Sequence, residues 1–428
     1  MTNFFEKISY IFKLPDLRNK ILFILLGFLI FRIVANIPAP GINELQLKEF
    51  FARFEFFGLL SAFTGGALDN LSIAMLGLGP YITASIIMQL LTMVFPSLEK
   101  MYKEEGEVGR KKINQYARFL TVPIAFVQGY GTLMFLQNQR AITFADTESL
   151  ILSLFTIVAG AVFLMWLGEI ISEKGIGNGI SLLIFAGIVS ALPTNIRSTA
   201  LSFTDQSQII SYLEFFVMAF AIITLVVYVQ EARRNIPVSY ARRVRGMKLY
   251  GGVATYLPLQ LNPAGVIPII FAFSFLLLPG TLGAILSNFG GFIGFAAERI
   301  SNIFKDQLVN GVLLFFLIIG FTYFYTAVIF DPKTISNNLQ RMGGFIPGIR
   351  PGTPTVNYLY YVLNRILFVG GITLGIVALM PSIAGAFTNV HTFGFFIGGT
   401  SVIIIVSVII DLINKINAQL KMREYDTI

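Results

Sequence analysis

Long runs of sequence without a charged side chain constrain this chain more than any other feature. Six runs contain no Asp, Glu, Lys or Arg: Leu71–Leu98, Phe119–Gln139, Gly175–Ile196, Leu249–Ala297, Gln307–Phe330 and Ile366–Ile410. A membrane-spanning helix needs about 20 mostly apolar residues, so each run is long enough to cross a bilayer. We therefore expect an all-α, polytopic membrane protein. A soluble enzyme, a disordered chain and a collagen-like fibre are excluded.

The apolar pattern predicts ten spans. The run Ile366–Ile410 is too long for one crossing and is interrupted by Met380-Pro381-Ser382 and Asn389-Val390-His391, so we divide it into two helices. The run that begins at Leu249 holds a single span, flanked by loop on both sides. The predicted limits are 20–37, 71–95, 116–137, 149–169, 178–196, 210–230, 264–285, 308–330, 358–381 and 393–413.

The basic residues indicate which side of the membrane each loop faces. With ten spans, 24 of the 31 Lys and Arg residues fall in segments on the same side as the N-terminus, and six fall on the opposite side. Arg32 lies within the first span. Because cytoplasmic loops are enriched in Lys and Arg, both termini are expected in the cytoplasm. The first apolar run reads as a retained span rather than a cleaved signal peptide.

The predicted membrane interior lacks the groups that most catalytic or ion-coupled sites need. Glu169, Glu214 and Asp411 lie near helix ends, the chain has no cysteine, and His391 is its single histidine. We therefore expect no catalytic residue, no metal site and no cofactor. The glycine-rich turn at Gly175–Gly179 matches neither a phosphate-binding loop nor a dinucleotide fingerprint.

Branched aliphatic residues stand out instead. Leu78 and Ile82, like Ile184 and Ile188, are four residues apart and share a helix face. Such pairs usually face lipid or the core, but a convergent ring of them could close a pore by excluding water. The short apolar segment Phe56–Ala67 reads either as a buried half-helix or as an interfacial helix on the outer leaflet.

Two predicted cytoplasmic loops, 231–261 and 331–357, are too long to be simple connections. The first carries six basic residues between Arg233 and Lys248, and the second is rich in Gly and Pro. Long ordered loops tend to be functional. The charge suits either phosphate-rich RNA or an acidic groove of a protein.

Five sequence motifs follow one another along the chain: Gly77–Leu91, Gly175–Ser181, Asn262–Pro268, Phe345–Gly352 and Gly398–Ser401. Together they resemble the SecY family, the large subunit of the bacterial protein-conducting channel, nearly from end to end. The resemblance implies ten transmembrane helices in two pseudo-symmetric five-helix halves, 1–200 and 201–428. The halves would form a clamshell around a central hourglass pore, which conducts unfolded polypeptides and releases apolar segments sideways into lipid.

The resemblance also implies roles for individual residues. A pore ring would consist of Leu78, Ile82, Ile184, Ile188, Ile270 and Ile404. A plug at about 54–70 would include Leu59, Leu60, Phe63, Gly65, Gly66 and Leu68. A lateral gate between the second and third spans on one side and the seventh and eighth on the other would have polar contacts from Thr83, Gln128 and Asn262. Docking of a motor or ribosome would use Arg242, Arg243 and Arg350.

The partners implied by the resemblance are small SecE-like and SecG-like membrane subunits, the SecA motor ATPase, the ribosome, secretory preproteins with their signal sequences, and the lipid bilayer. The location would be the bacterial inner (plasma) membrane. Two other functions stay open from the sequence: a solute transporter built on inverted repeats, and a non-conducting scaffold that recruits a partner through its basic loops. The missing mid-membrane carboxylates disfavour the transporter, and the short segment before the second span disfavours the scaffold.

Overall fold

The computed structural model is mostly helical. It describes residues 13–40, 64, 66–68, 70–138, 141–201, 209–240, 243–245, 248–250, 254–286, 294–295, 307–388 and 399–426. Ten long helices in this part of the chain overlap the ten predicted spans one for one. They are α1 (Pro15–Ala35), α2 (Gly79–Val94), α4 (Gly106–Asn138), α5 (Thr147–Lys174), α6 (Gly179–Leu201), α7 (Ile209–Glu231), α8 (Ile267–Leu286), α9 (Gln307–Ile329), α11 (Thr353–Thr388) and α12 (Gly399–Asp426). Two short helices, α3 (Pro96–Lys103) and α10 (Pro332–Arg341), lie between them.

By length and hydropathy alone, five helices within the described residues can cross a membrane, or six if the bent pair α2–α3 counts as one span. That pair turns by 105° at Phe95, where Pro96 cannot continue the hydrogen-bond ladder of α2. At 33 residues, α4 is about 50 Å long, which exceeds the hydrocarbon core, so one end projects from it. The predicted limit at residue 116 was therefore ten residues too late for the start of this helix.

The second span differs from its prediction, because helix α2 begins at Gly79 rather than at residue 71. Gly77 has a φ of +55°, which is incompatible with a right-handed helix, and Pro80 favours a helix start at this point. The 16 residues of α2 extend only about 24 Å, less than the hydrocarbon thickness. The irregular residues before it are buried, including Leu71, Ser72 and Met75. Irregular backbone at membrane depth requires such burial.

Helix packing follows the two-half architecture. In the first half, α4 packs against α2 and α5, and α1 packs against α5 and α6. In the second half, α9 packs in the same way against α8 and α11, and α12 packs against α7 and α11. Contacts between the halves are made by α6 with α12 and by α8 with α2 and α4. The result is a ten-helix clamshell, as predicted.

The long basic loops contain strands, which the sequence analysis did not predict. β1 (Arg233–Tyr240) pairs antiparallel with β4 (Ala254–Gln260), with Ile236 opposite Leu257. A smaller hairpin joins β2 (Arg243–Arg245) to β3 (Lys248–Tyr250). Strand β5 (Gly344–Phe345), from the second loop, pairs with the other edge of β1. The two loops therefore share one sheet, in the order β4–β1–β5.

Candidate functional site: an apolar constriction and its gate

All six predicted ring residues are buried in one hydrophobic cluster. Leu78 and Ile82 come from the start of α2, Ile184 and Ile188 from α6, Ile270 from α8 and Ile404 from α12. Their exposed fractions range from 0% for Ile404 to 8% for Ile82. The structure therefore brings side chains of four helices from both halves into one apolar region. Their role in lining a pore stays a prediction.

A tight turn between α5 and α6 fixes the start of the helix that carries the predicted ring residues Ile184 and Ile188. Helix α5 ends at Lys174 and α6 begins at Gly179, which confirms the predicted turn and helix start. The Asn178 side chain caps α6 by accepting hydrogen bonds from the N–H groups of Ile180 (3.0 Å) and Ser181 (3.3 Å). A Cβ on Gly179 would overlap the carbonyl oxygen of Gly168. Glycine is thus required for the close approach of the two helices.

The predicted gate residues form two separate polar contacts. Gln128 of α4 donates from Nε2 to Oγ1 of Thr83 on α2 at 3.3 Å, and both residues are buried. Asn262 lies before α8, and its Nδ2 donates to the carbonyl oxygen of Gly265 (2.7 Å) and to Oε1 of Gln230 (3.4 Å). The structure therefore divides the three predicted gate residues between two contacts, and it adds Gln230 as a hydrogen-bond partner of Asn262 that the sequence did not indicate.

Only part of the predicted plug can be placed. Leu59, Leu60, Phe63 and Gly65 lie outside the described residues. Gly66 has a φ of +78°, and Leu68 is 1% exposed. Leu68 packs in a second cluster with Leu133 and Ile157, whereas its neighbour Ala67 belongs to the cluster of the ring residues. The described end of the outer segment is therefore buried in protein rather than lying on the outer leaflet.

Two carboxylates of the described spans, Glu169 and Asp411, are paired with basic side chains. Asp411 lies in the middle of α12 rather than near a helix end as predicted, because α12 continues to Asp426. Glu169 of α5 accepts a hydrogen bond from Nε of Arg118 on α4 at 2.6 Å. Asp411 of α12 pairs with Lys415 one turn later, also at 2.6 Å. Among the described residues, no group of three or more His, Cys, Asp or Glu is placed to hold a metal ion. Such ion pairs suit a structural role better than a proton relay.

Two of the three docking candidates fall within the described residues, Arg350 in the turn after β5 and Arg243 in the β2–β3 hairpin. Arg350 is exposed, and its carbonyl oxygen accepts a hydrogen bond from Oγ1 of Thr355 at 2.9 Å. Nearby, Ile346 is buried against Ile236 and Leu359, which anchors the turn on α11. Arg243 belongs to strand β2, and Arg242 falls outside the described residues. Arg350 is thus an exposed cation on a fixed main chain.

Helix α10, in the same loop, is capped by an ionised carboxylate. Asp331 accepts hydrogen bonds from the N–H of Lys333 (3.0 Å) and the hydroxyl of Thr334 (2.7 Å). Partial burial alone would raise the pKa of Asp331, but these hydrogen bonds and the charge of Lys103 together lower it below its ordinary value. Because Lys103 belongs to α3, this charge reaches Asp331 from the opposite half of the fold.

Comparison with known proteins agrees with this architecture. The model of the SecY family matches residues 72–413. The chain is 42% identical to the protein translocase subunit SecY of Thermotoga maritima, over 97% of this chain and 95% of that protein. This chain belongs to the SecY family. The SecY subunit of Pseudomonas aeruginosa is 41% identical, over 97% of this chain and 93% of that protein.

Solved structures show the same fold at lower identity. A structure described as that of a protein-conducting channel superposes with a TM-score of 0.68 at 19% identity, covering 96% of each chain. Sec61 in the canine ribosome–channel complex gives a TM-score of 0.64 at 18% identity, also covering 96% of each chain. This SecY-family chain is therefore a multi-pass membrane protein with ten long helices in two halves.

Proposed function

We propose that the protein is the channel through which unfolded polypeptides cross the membrane, and from which apolar segments leave sideways into lipid. The observation that carries this proposal is that six aliphatic side chains, from four helices of both halves, are buried in one hydrophobic cluster. Membership of the SecY family supplies the class of function.

The proposed ring suits both states of such a channel. In the idle state, closely packed aliphatic side chains exclude water, and ions cannot pass a dewetted constriction. During transport, the same side chains make weak contacts without directional preference, so a passing chain of any sequence is tolerated. A ring of carboxylates or guanidinium groups would retain segments of opposite charge.

The proposed lateral gate explains how segments are sorted. Helix α8 packs against α2 and α4, so this contact closes one side of the clamshell. When it separates, a segment in the pore can exchange with lipid. Transfer of apolar surface out of water is favourable by about 25 cal/mol per Å², so apolar segments leave and polar segments continue through the pore.

The proposed partners follow from the family and from the exposed basic sheet. Two of the matching structures are described as channels in complex with a ribosome, and we propose ribosome docking on the Arg350 side of this chain. We also propose SecE-like and SecG-like subunits and a SecA motor. The matched relatives are bacterial, so the proposed location is the bacterial inner membrane with both termini in the cytoplasm. The chain itself would perform no chemical step, because the motor or ribosome supplies the energy.

Reconstitution tests the proposal. Vesicles that contain the protein, its small subunits and the motor should take up an unfolded preprotein and protect it from external protease when ATP is supplied. The control vesicles contain the small subunits alone. Failure to protect the preprotein, together with uptake of a small solute driven by an ion gradient, would contradict the channel and identify a transporter.

A further inference from the structure

The residues before α2 form a closed loop on the outer side of the proposed ring. We call the described residues Thr64, 66–68 and 70–78 the outer loop. A Cβ on Gly77 would lie 3.0 Å from the methyl group of Thr64, so the two ends of the loop are in contact. The N–H of Leu68 donates to Oγ1 of Thr64 at 3.3 Å. The loop is therefore compact, with adjoining ends, and its last residue, Leu78, is a proposed ring residue.

The outer loop is attached to the outer end of α1. The N–H of Ala39 donates to the carbonyl oxygen of Leu71 at 2.8 Å, and the N–H of Ile73 donates to that of Ile37 at 3.0 Å. These bonds flank an isolated antiparallel bridge between Pro38 and Ser72. Any shift of the end of α1 is therefore passed to the loop.

Side chains extend this attachment back to Arg32. Asn70 donates from Nδ2 to Oδ1 of Asn36 at 3.3 Å. Asn36 in turn donates from Nδ2 to the carbonyl oxygen of Arg32 at 2.7 Å. The loop, the end of α1 and the backbone of Arg32 thus form one hydrogen-bonded unit.

The guanidinium group of Arg32 reaches from α1 to two other parts of the molecule. Its Nη1 donates to Oγ of Ser190 on α6 at 3.3 Å. A Cβ built on Gly66 would lie 4.0 Å from the same nitrogen. Ser190 stands two residues beyond Ile188 in the outward direction. Arg32 therefore lies between the loop that carries Leu78 and the helix that carries Ile188.

We propose that Arg32 is a positioning residue of the seal: it holds the outer loop against α6 and so keeps Leu78 and Ile188 in register. A charged side chain within a span is costly and typically has a function. The alternative, in which the long side chain merely reaches towards the outer interface, requires no contact with α6 or the loop. The proposal rests on the proposed function, because it presumes that these residues seal a pore.

The test measures ion conductance of the idle channel in planar bilayers, using the complete complex without substrate. A hydrogen bond to a charged group contributes about 1.5 kcal/mol or more. Arg32→Met should therefore raise the fraction of idle channels that conduct ions about tenfold. Arg32→Lys keeps the charge but lacks the planar fork and should leak to an intermediate degree. Ser190→Ala should leak as well. Arg197→Met is the matched control, since Arg197 is an exposed arginine near the outer end of α6, and its conductance should not change.

The outcomes separate this inference from the proposed function. Ile404→Asn, which alters the ring directly, is measured in parallel. If Ile404→Asn leaks but Arg32→Met conducts no more than Arg197→Met, the role of Arg32 is overturned while the ring stands. If neither leaks, the proposed ring itself fails. If Arg32→Met does not assemble, the conductance of Arg32→Lys and Ser190→Ala tests the proposal instead. Normal conductance in both variants overturns it.

Discussion

The six proposed ring residues are buried in one hydrophobic cluster, and local structure explains the position of three of them. Leu78 precedes α2 because Gly77 and Pro80 end the irregular segment there. The capped turn before α6 fixes where the helix that carries Ile184 and Ile188 begins. Because an apolar ring closes a pore by excluding water, a single polar side chain in it should have a large effect.

Ile404→Asn should loosen the seal. Ile404 is fully buried, and an amide left without partners in such a site costs about 1–3 kcal/mol. We expect idle ion conductance to rise about tenfold and preproteins with weakened signal sequences to be accepted. Ile409→Asn is the control, because Ile409 is on the same helix and 39% exposed. Unchanged leak and unchanged stringency would remove Ile404 from the ring.

The sequence allowed some of these residue contacts to be predicted. The four-residue spacing of Leu78 with Ile82 places both near one helix face, and both prove to be buried in one cluster. The bond of Asn262 to Gln230 and that of Arg32 to Ser190 join residues far apart in the sequence. Such bonds depend on how whole helices are positioned, which local patterns do not encode.

At the scale of elements, the cytoplasmic sheet is the largest addition to what the sequence indicated. Burial alternates along β1: Ile236 and Val238 are buried, whereas Asn235 and Pro237 are exposed. A two-residue period of this kind is typical of a strand with one buried face. That signal was present in the sequence but lay within a charged segment. The pairing of β5 with β1 could not be predicted, because it joins two loops across about 100 residues.

Ile236→Ala should loosen this sheet without affecting the spans. Ile236 is 1% exposed and packs against Leu259, Ile346 and Leu359. Removing a buried Ile side chain costs about 2–5 kcal/mol, so amide hydrogen exchange in β1 and β4 should accelerate markedly. Asn235→Ala, at the exposed neighbouring position, should not change it. Equal exchange in the two variants would show that the cluster does not hold the sheet.

The cap of α10 should make that helix sensitive to acid. Because the folded pKa of Asp331 is lowered, the carboxylate stabilises the folded state above its ordinary pKa, and this contribution is lost as the pH falls through the folded value. Hydrogen exchange in α10, corrected for its intrinsic pH dependence, should show less protection at about pH 3 than at about pH 6. Asp331→Asn keeps a capping side chain but cannot titrate, so the same pH dependence in this variant would refute the assignment.

Arg350→Glu should weaken docking of the motor. Arg350 is exposed on a turn whose main chain is fixed by Thr355, so the substitution reverses a charge without unfolding the turn. We expect motor-driven transport to fall about tenfold through slower association, with no change in idle conductance. Arg341→Glu, another exposed basic residue of the same loop, is the control. Full transport by Arg350→Glu at a limiting concentration of the motor would remove Arg350 from the docking surface.

At the scale of the whole molecule, we propose a sealed constriction beside a gate that opens towards lipid. Ten spans could be predicted, because apolar runs of sufficient length follow from the thickness of the bilayer. The side that each loop faces stays a prediction from the basic residues. The clamshell arrangement came from family resemblance, since no local pattern shows that α8 packs against α2 and α4. The same architecture explains why the interior needs no carboxylates: sorting is a partition between water and lipid, with no coupling ion.

Cross-linking of a chain caught in transit tests the central claim most directly. The protein has no cysteine, so single cysteines can be placed at Ile82, Ile184, Ile270 and Ile404, with Phe220 and Val369 as exposed controls on α7 and α11. A preprotein stalled during transport and carrying one cysteine should form disulfides with all four ring positions and with neither control. Disulfides at Phe220 or Val369 but not at the ring positions would contradict a polypeptide path through this apolar constriction.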